Sequence, residues 1–302
     1  MRTATPSAAA FRSAFDEGRI IRMHLNRGTW QLVSRDDYWW MLRLCGPGSI
    51  AAIKGWMHTN RVHISEDELL RVRKILMDEA CMKGSATKDD FVCALREKGI
   101  VMDDHRLSYH IRLAELSGVL CSGELMNDKS SYAPVEKRIG PETVRMDRNE
   151  ALALLARKYF RSHSPATLED FVWWSGLGVG DCRRALASIR QELREETVSG
   201  RTLLIHKSCR TRGCRRGQFV LLPPYDEYLI GYKSRDVVLD RDFVHKAHSN
   251  NGIFHPVILS GGRVCGNWKR SSLETEFFDG SIPEQALLES AVSRYKSFMQ
   301  FR

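Results

Sequence analysis

Ala86-Thr87-Lys88-Asp89-Asp90-Phe91-Val92, ATKDDFV, returns at Ala166-Thr167-Leu168-Glu169-Asp170-Phe171-Val172 as ATLEDFV. In each copy a Thr stands where a helix N-cap belongs, an acid follows three positions later, and Phe-Val opens an apolar face. The Thr hydroxyl can accept from the N–H three residues on while the acid reaches back, so the motif starts a helix. Around the first copy, Ser65–Met82 predicts a helix: Ser65 and Glu68 form the same capping pattern, and Leu69, Val72, Leu76 and Ala80 share one face. The motif opens a short helix, Thr87–Glu97. A third helix follows from Asp104 to Ser117, with Leu107, Ile111 and Ala114 inward. Val119–Ser122 and Ser131–Val135 then read as two strands.

The second copy has the same neighbours. Asn149–Arg161 reads as a helix with Leu152, Leu155 and Tyr159 on one side, Thr167–Trp174 as the next, and Asp181–Arg194 as the third. Glu196–Val198 and Thr202–His206 flank a Ser199-Gly200-Arg201 turn. Three helices followed by a two-stranded wing is the winged helix-turn-helix order.

Nearer the N-terminus, residues 7–17 predict a helix capped by Gly18. Arg22–Val33, RMHLNRGTWQLV, predicts a hairpin that turns at Asn26-Arg27-Gly28, where Gly28 accepts a positive φ. A helix from Tyr38 is expected to stop at Gly46-Pro47-Gly48. This stretch reads as the end of a winged unit that lacks its leading helices. After Lys207, strands are expected at Phe219–Leu222, Phe254–Ser260, Arg263–Trp268 and Leu273–Phe278, with a last helix after Pro283. The fold class is therefore α+β: tandem winged helix-turn-helix units, two complete and one truncated, plus a C-terminal β-rich module closed by a helix. The expected domains are residues 1–62, 63–140, 141–207 and 208–302. The unit at 1–62 would expose an apolar face that a partner, a second copy included, could cover.

The 302 residues carry 46 Lys and Arg against 37 Asp and Glu, a formal charge of +9. A basic balance favours polyanionic partners. The eight cysteines are scattered without a CxxC, and Cys209 and Cys214 have no second pair, so no zinc site is expected. Free thiols in a reducing compartment follow. No apolar run approaches a membrane span, and no signal peptide is legible, which points to the cytoplasm. There is no Gly-rich phosphate loop and no HExxH, so no cofactor and no metal are expected.

Arg183, Arg184, Arg190 and Arg194 fall off the inward face of their helix, and Arg106 and His110 hold the matching place in the earlier unit. Long donors there suit phosphates and base edges. Arg22, His24, Arg27 and Trp30 cluster on the hairpin; Trp30 reads as core or as a stacking surface. Lys207–Arg216 has five basic residues and no acid, and reads equally as a solvated loop or a phosphate contact. Asp226 and Glu227 are adjacent carboxylates. One could orient a water or an arginine, or pair with Lys233 or Arg235.

LLPPYDEYLIGYKSRD (Leu221–Asp236), GIFHPVILSGGRVCGNW (Gly252–Trp268), RMHLNRGTW and RKYFRSHSPATLEDFVWWSGL (Arg157–Leu177) together resemble the winged-helix DNA-binding family that includes the AlkZ and YcaQ DNA glycosylases. The resemblance runs from about Gly18 to Phe278. It implies three tandem winged helices with a β-rich end, double-stranded DNA as partner, residence at the nucleoid, and excision of N7-alkylated purines or unhooking of interstrand crosslinks. An N7-alkylated base is already cationic and leaves with little acid assistance, so the enzyme's work is to stabilise the sugar cation and position a water. The family does this with Gln-hydrophobic-Gln or Gln-hydrophobic-Asp, upstream of the opening helix. None of Gln31, Gln191, Gln218, Gln285 or Gln300 begins such a run, and Gln31 stands where many relatives have His. The expectation is thus a duplex-binding protein without the full catalytic set. The alternatives are an active glycosylase using Asp226 or Glu227, and a transcription regulator. The DNA-contact set is Arg22, His24, Asn26, Arg27, Thr29, Arg161, His163, Arg183, Arg184, Arg212 and Arg235.

Overall fold

The computed structural model describes residues 7–126, 129–210, 218–280 and 284–300, and they divide into two compact units. The N-terminal unit comprises Ala10–Leu154 and Ser175–Ala185; the C-terminal unit comprises Met1–Ala9, Leu155–Trp174 and Leu186–Arg302.

Helix α1 (Ala8–Asp16) ends at Gly18, whose φ of 72° suits a helix stop, and leads into the hairpin β1 (Ile20–Leu25) and β2 (Thr29–Ser34). The strands pair with Leu25 opposite Thr29 and His24 opposite Trp30. Helix α2 (Tyr38–Thr59) runs straight through Gly46-Pro47-Gly48, so the expected stop is corrected. Proline removes one helical donor and crowds the preceding turn. The helix continues because Leu44, Cys45, Gly46, Ser49 and Ile53, on both sides of Pro47, are all buried. Tertiary packing outweighs the local break.

The predicted helices around the first ATKDDFV copy form as α3 (Glu66–Lys83), α4 (Lys88–Glu97) and α5 (Asp104–Leu116), with the two-residue strand β3 (Ala86–Thr87) between α3 and α4. Strands β4 (Leu120–Ser122) and β5 (Ser131–Pro134) follow, and the sheet order is β3-β5-β4. Ser65 Oγ accepts from Glu68 N at 3.2 Å, and Thr87 with Asp90 makes the full capping box. Val72, Leu76, Phe91, Leu95, Leu107, Ile111 and Leu120 form the core between helices and sheet. A short helix, α6 (Val135–Arg138), completes this part.

Helices α7 (Arg148–His163), α8 (Leu168–Ser175) and α9 (Val179–Ser188) precede the hairpin β6 (Leu193–Val198) and β7 (Arg201–His206). Thr167 and Asp170 repeat the earlier cap: Asp170 Oδ2 accepts from Thr167 N and Oγ1, and Asp170 N donates to Thr167 Oγ1. Ala166 bridges to Leu204 on β7, as Ala86 pairs with Tyr132 on β5. The third helix is shorter than expected. It ends at Ser188, Arg190 lies in a 3-10 turn and Arg194 on β6, so neither sits on the helix.

The last segment adds β8 (Phe219–Leu222), α10 (Glu227–Ile230), α11 (Val244–Ala247), β9 (Val257–Ser260), β10 (Arg263–Trp268), β11 (Thr275–Phe277) and α12 (Gln285–Gln300). The sheet order is β11-β10-β9-β8. Strand β9 starts later than the expected Phe254 because Pro256 cannot donate to a ladder. Strand β11 starts after Leu273, which turns at a φ of 60°. Phe219, Ile258, Trp268 and Ala291 pack α12 onto the sheet. Pro283 and the loop residues Arg212, Cys214, Arg215 and Arg216 lie outside the described residues. Among the described residues the cysteines are free thiols, no cluster of metal-ligating side chains occurs, and no helix is long and apolar enough to cross a membrane.

Candidate nucleic-acid interface

The hairpin brings five sequence-selected residues together in the N-terminal unit. At its tip Asn26, Arg27 and Gly28 make one 3-10 turn, and Arg27 itself sits at φ 61°. A non-glycine residue in the left-handed region costs free energy and is held there by its surroundings. Here the surroundings are tight. A Cβ on Gly176 would come within 3.0 Å of Arg27 Cγ, and one on Gly28 within 3.3 Å of the Trp56 ring. Asn26 is buried with no hydrogen-bond partner for its amide, and Thr29 is exposed, its Oγ1 donating to Asn26 O at 3.0 Å.

Arg22 and His24 point elsewhere. Both are buried. The Arg22 guanidinium lies 4.2 Å from the centroid of the Trp30 ring and donates to Ser130 Oγ at 2.6 Å. Trp30 Nε1–H donates to His24 Nε2. An indole N–H only donates, so the imidazole proton sits on Nδ1, 2.5 Å from Glu115 Oε2. This carboxylate–imidazole–indole chain fixes Trp30, which is half-exposed rather than core. Glu115 was missed in the sequence. The available signal was its place four residues after Ile111 and eight after Leu107 on the inward face of α5.

Arg183 is exposed near the start of α9, without an ion pair among the described residues, while Arg184 pairs with Asp181. Arg106 and His110 do not face solvent as a recognition surface would. Arg106 donates from Nε and Nη2 to the two oxygens of Glu68 and holds that carboxyl below its ordinary range. His110 is 1% exposed, 3.0 Å from Glu68, and burial pushes its pKa down. Arg190 pairs with Glu195, and Arg194 with Glu196.

A second constellation lies in the C-terminal unit. Glu227 Oε2 receives Trp174 Nε1–H at 3.1 Å and lies 3.3 Å from His163 Nε2. His163 stacks on Tyr159 at 4.6 Å, and its Nδ1 is 2.8 Å from Ser162 Oγ. Ser162 also donates back to helix carbonyls, so it is a helix-bound hydroxyl and not a nucleophile. Tyr159 and Tyr232 hydroxyls donate to Gly231 O and His163 O, tying α7 to the turn after α10. Among the described residues Glu227 is held by His163 and Trp174 rather than by Lys233 or Arg235. Asp226 caps α10 by accepting from Tyr228 N at 2.8 Å. Arg235 donates to Leu229 O and lies 5.0 Å from the Phe254 ring. Arg161 is exposed, again without an ion pair among the described residues, and Arg212 lies outside them.

A sequence model of the family described as DNA glycosylase AlkZ-like matches residues 1–298. Among solved structures, Streptomyces sahachiroi DNA glycosylase AlkZ has a similar fold, with a TM-score of 0.73 at 20% identity. The alignment covers 98% of this chain and 84% of that one. No curated protein matches the sequence.

Proposed function

The chain belongs to the AlkZ-like DNA glycosylase family, and from that premise we infer that it binds duplex DNA, alkylated or crosslinked DNA included, through tandem winged-helix units. The modules are residues 1–62, 63–140 and 141–207, with the β-rich module at 208–302. Element order supports this division, as do the two Thr–Asp caps and the two bridges that join a cap to a wing strand. The observation that carries the binding reading is the hairpin tip, where a basic side chain is held in a left-handed backbone and braced by Gly176. A rigid cationic tip suits a phosphate or groove contact. Arg161 and Arg183 add exposed cations in the C-terminal and N-terminal units respectively.

Base excision is the second reading, favoured by Glu227. A carboxylate held by an imidazole and an indole N–H is oriented for a water or for a developing sugar cation. Both readings are tested together. A labelled duplex, plain or methylated at purine N7, is titrated with the protein, and free 7-methylguanine is measured over time. Binding of both duplexes supports the first reading; failure to bind either sinks it. Release above background that Glu227→Gln abolishes supports excision, and release unaffected by that substitution removes Glu227 from the role.

A further inference from the structure

Trp30 is 55% exposed, yet its ring is fixed on two sides. The edge is held by His24, itself held by Glu115, and one face is covered by Arg22. His24 and Glu115 are each 4% exposed. An exposed ring contributes little through burial, while burying a carboxylate and an imidazole is costly. Folding stability alone does not account for spending two buried polar groups on aiming one exposed ring. Held side chains of this kind are what a binding surface requires.

Trp30 and His24 line a cleft of about 440 Å³ in the N-terminal unit, to which Arg22 does not contribute. Lys88, Ser108, Arg112 and Ser130 line it as well. Most of its charges are balanced. Lys129 lies 2.8 Å from Asp89, and Lys88 lies 2.6 Å from Asp104. Arg112 is half-buried and makes no hydrogen bond or ion pair among the described residues. The cleft therefore offers a fixed indole surface and one guanidinium that has no ion-pair partner among the described residues. Its volume falls within the ordinary range for a small-ligand site.

We propose that this cleft binds a single unstacked nucleotide, its base against Trp30 and its phosphate at Arg112. Flat π-systems stack on an indole whatever their sequence, and a guanidinium takes phosphate through paired N–H donors. The choice of a nucleotide over another flat anion rests on reading the chain as a DNA-binding protein. The nucleotide belongs to an unpaired strand or is free, and the two sources are separable.

The test uses the full chain and 2-aminopurine, whose emission is quenched by stacking on an aromatic ring. Three probes are titrated: a short single strand carrying it, the same strand annealed into a duplex, and 2-aminopurine nucleoside monophosphate. Quenching of the single strand, weakened about 10-fold or more in Trp30→Leu and several-fold in Arg112→Gln, is the expected result. Trp30→Phe, which keeps a ring but loses the His24 bond, should fall between. Quenching of the monophosphate with the same sensitivities supports the site and makes the free nucleotide its source. No quenching of either unpaired probe, or quenching unchanged in Trp30→Leu with the melting temperature preserved, overturns the proposal. Affinity for the annealed duplex reads on the duplex proposal alone, so the two can fail separately.

Discussion

Arg27 occupies a backbone conformation that glycine would adopt without cost, at φ 61°. Retaining a long cation there disfavours folding by about 1 kcal/mol, which is reasonable where the side chain has work at the tip. Arg27→Gly removes the side chain and the backbone penalty together. Duplex affinity should fall several-fold by fluorescence anisotropy while the melting temperature does not drop; unchanged affinity would show that the tip makes no contact. Glu115 makes the opposite case. It anchors His24 inside the core, so Glu115→Ala leaves a buried imidazole N–H without an acceptor. Chemical denaturation should show a loss of about 2–3 kcal/mol, and Trp30 should become more mobile. The hairpin residues were legible as a cluster in the sequence. Their division of labour was not, because the partners that decide it, Glu115, Ser130 and Gly176, are remote in the chain.

The two Thr–Asp caps were legible because the hydrogen bonds that make each box join residues three apart in the chain. Asp90 tests how much one such element contributes. Lys83 and the Thr87 hydroxyl and N–H hold its carboxyl down to about 2. A depressed carboxylate stabilises the fold fully above its ordinary pKa, and that contribution is lost as pH falls through the folded value. Asp90→Asn should therefore cost about 1 kcal/mol at pH 7, and the gap from wild type should close between about pH 4 and pH 2. A gap independent of pH would show that charge plays no part. Element ends were less legible where packing overrode local signals. Helix α2 crosses Pro47 because both halves bury one face. Pro47→Ala restores a donor and removes the ring clash, and should raise stability by about 1–3 kcal/mol, read as a higher melting temperature. Helix α9 stops at Ser188 although Ile189 and Leu193 continue an apolar spacing, because Leu193 turns out to begin a strand.

Across the whole molecule, a formal charge of +9 sits beside many local ion pairs. Arg106, Arg157, Arg184, Arg190, Arg194 and Arg201 each have a carboxylate partner. Counting basic residues along the sequence therefore overstated the surface free to meet DNA; of the residues singled out for DNA contact, Arg161 and Arg183 are exposed and without an ion pair among the described residues, and Arg112 lines its own cleft. The repeat, the order of helices and hairpins and the β-rich end were readable from periodicity and turn chemistry. Charge pairing was not where the partners are remote in the chain, as with Arg106 and Glu68, Arg157 and Glu192, and Arg201 and Asp236. The central claim is that this chain grips duplex DNA through its phosphates, and a salt series tests it most directly. Duplex affinity measured by anisotropy should fall linearly with the logarithm of salt concentration, with a slope of about −0.9 per phosphate contact, and the slope should shrink by about 1 in Arg183→Gln. Duplex binding that is absent at low salt, or that holds constant across the series, would contradict the account.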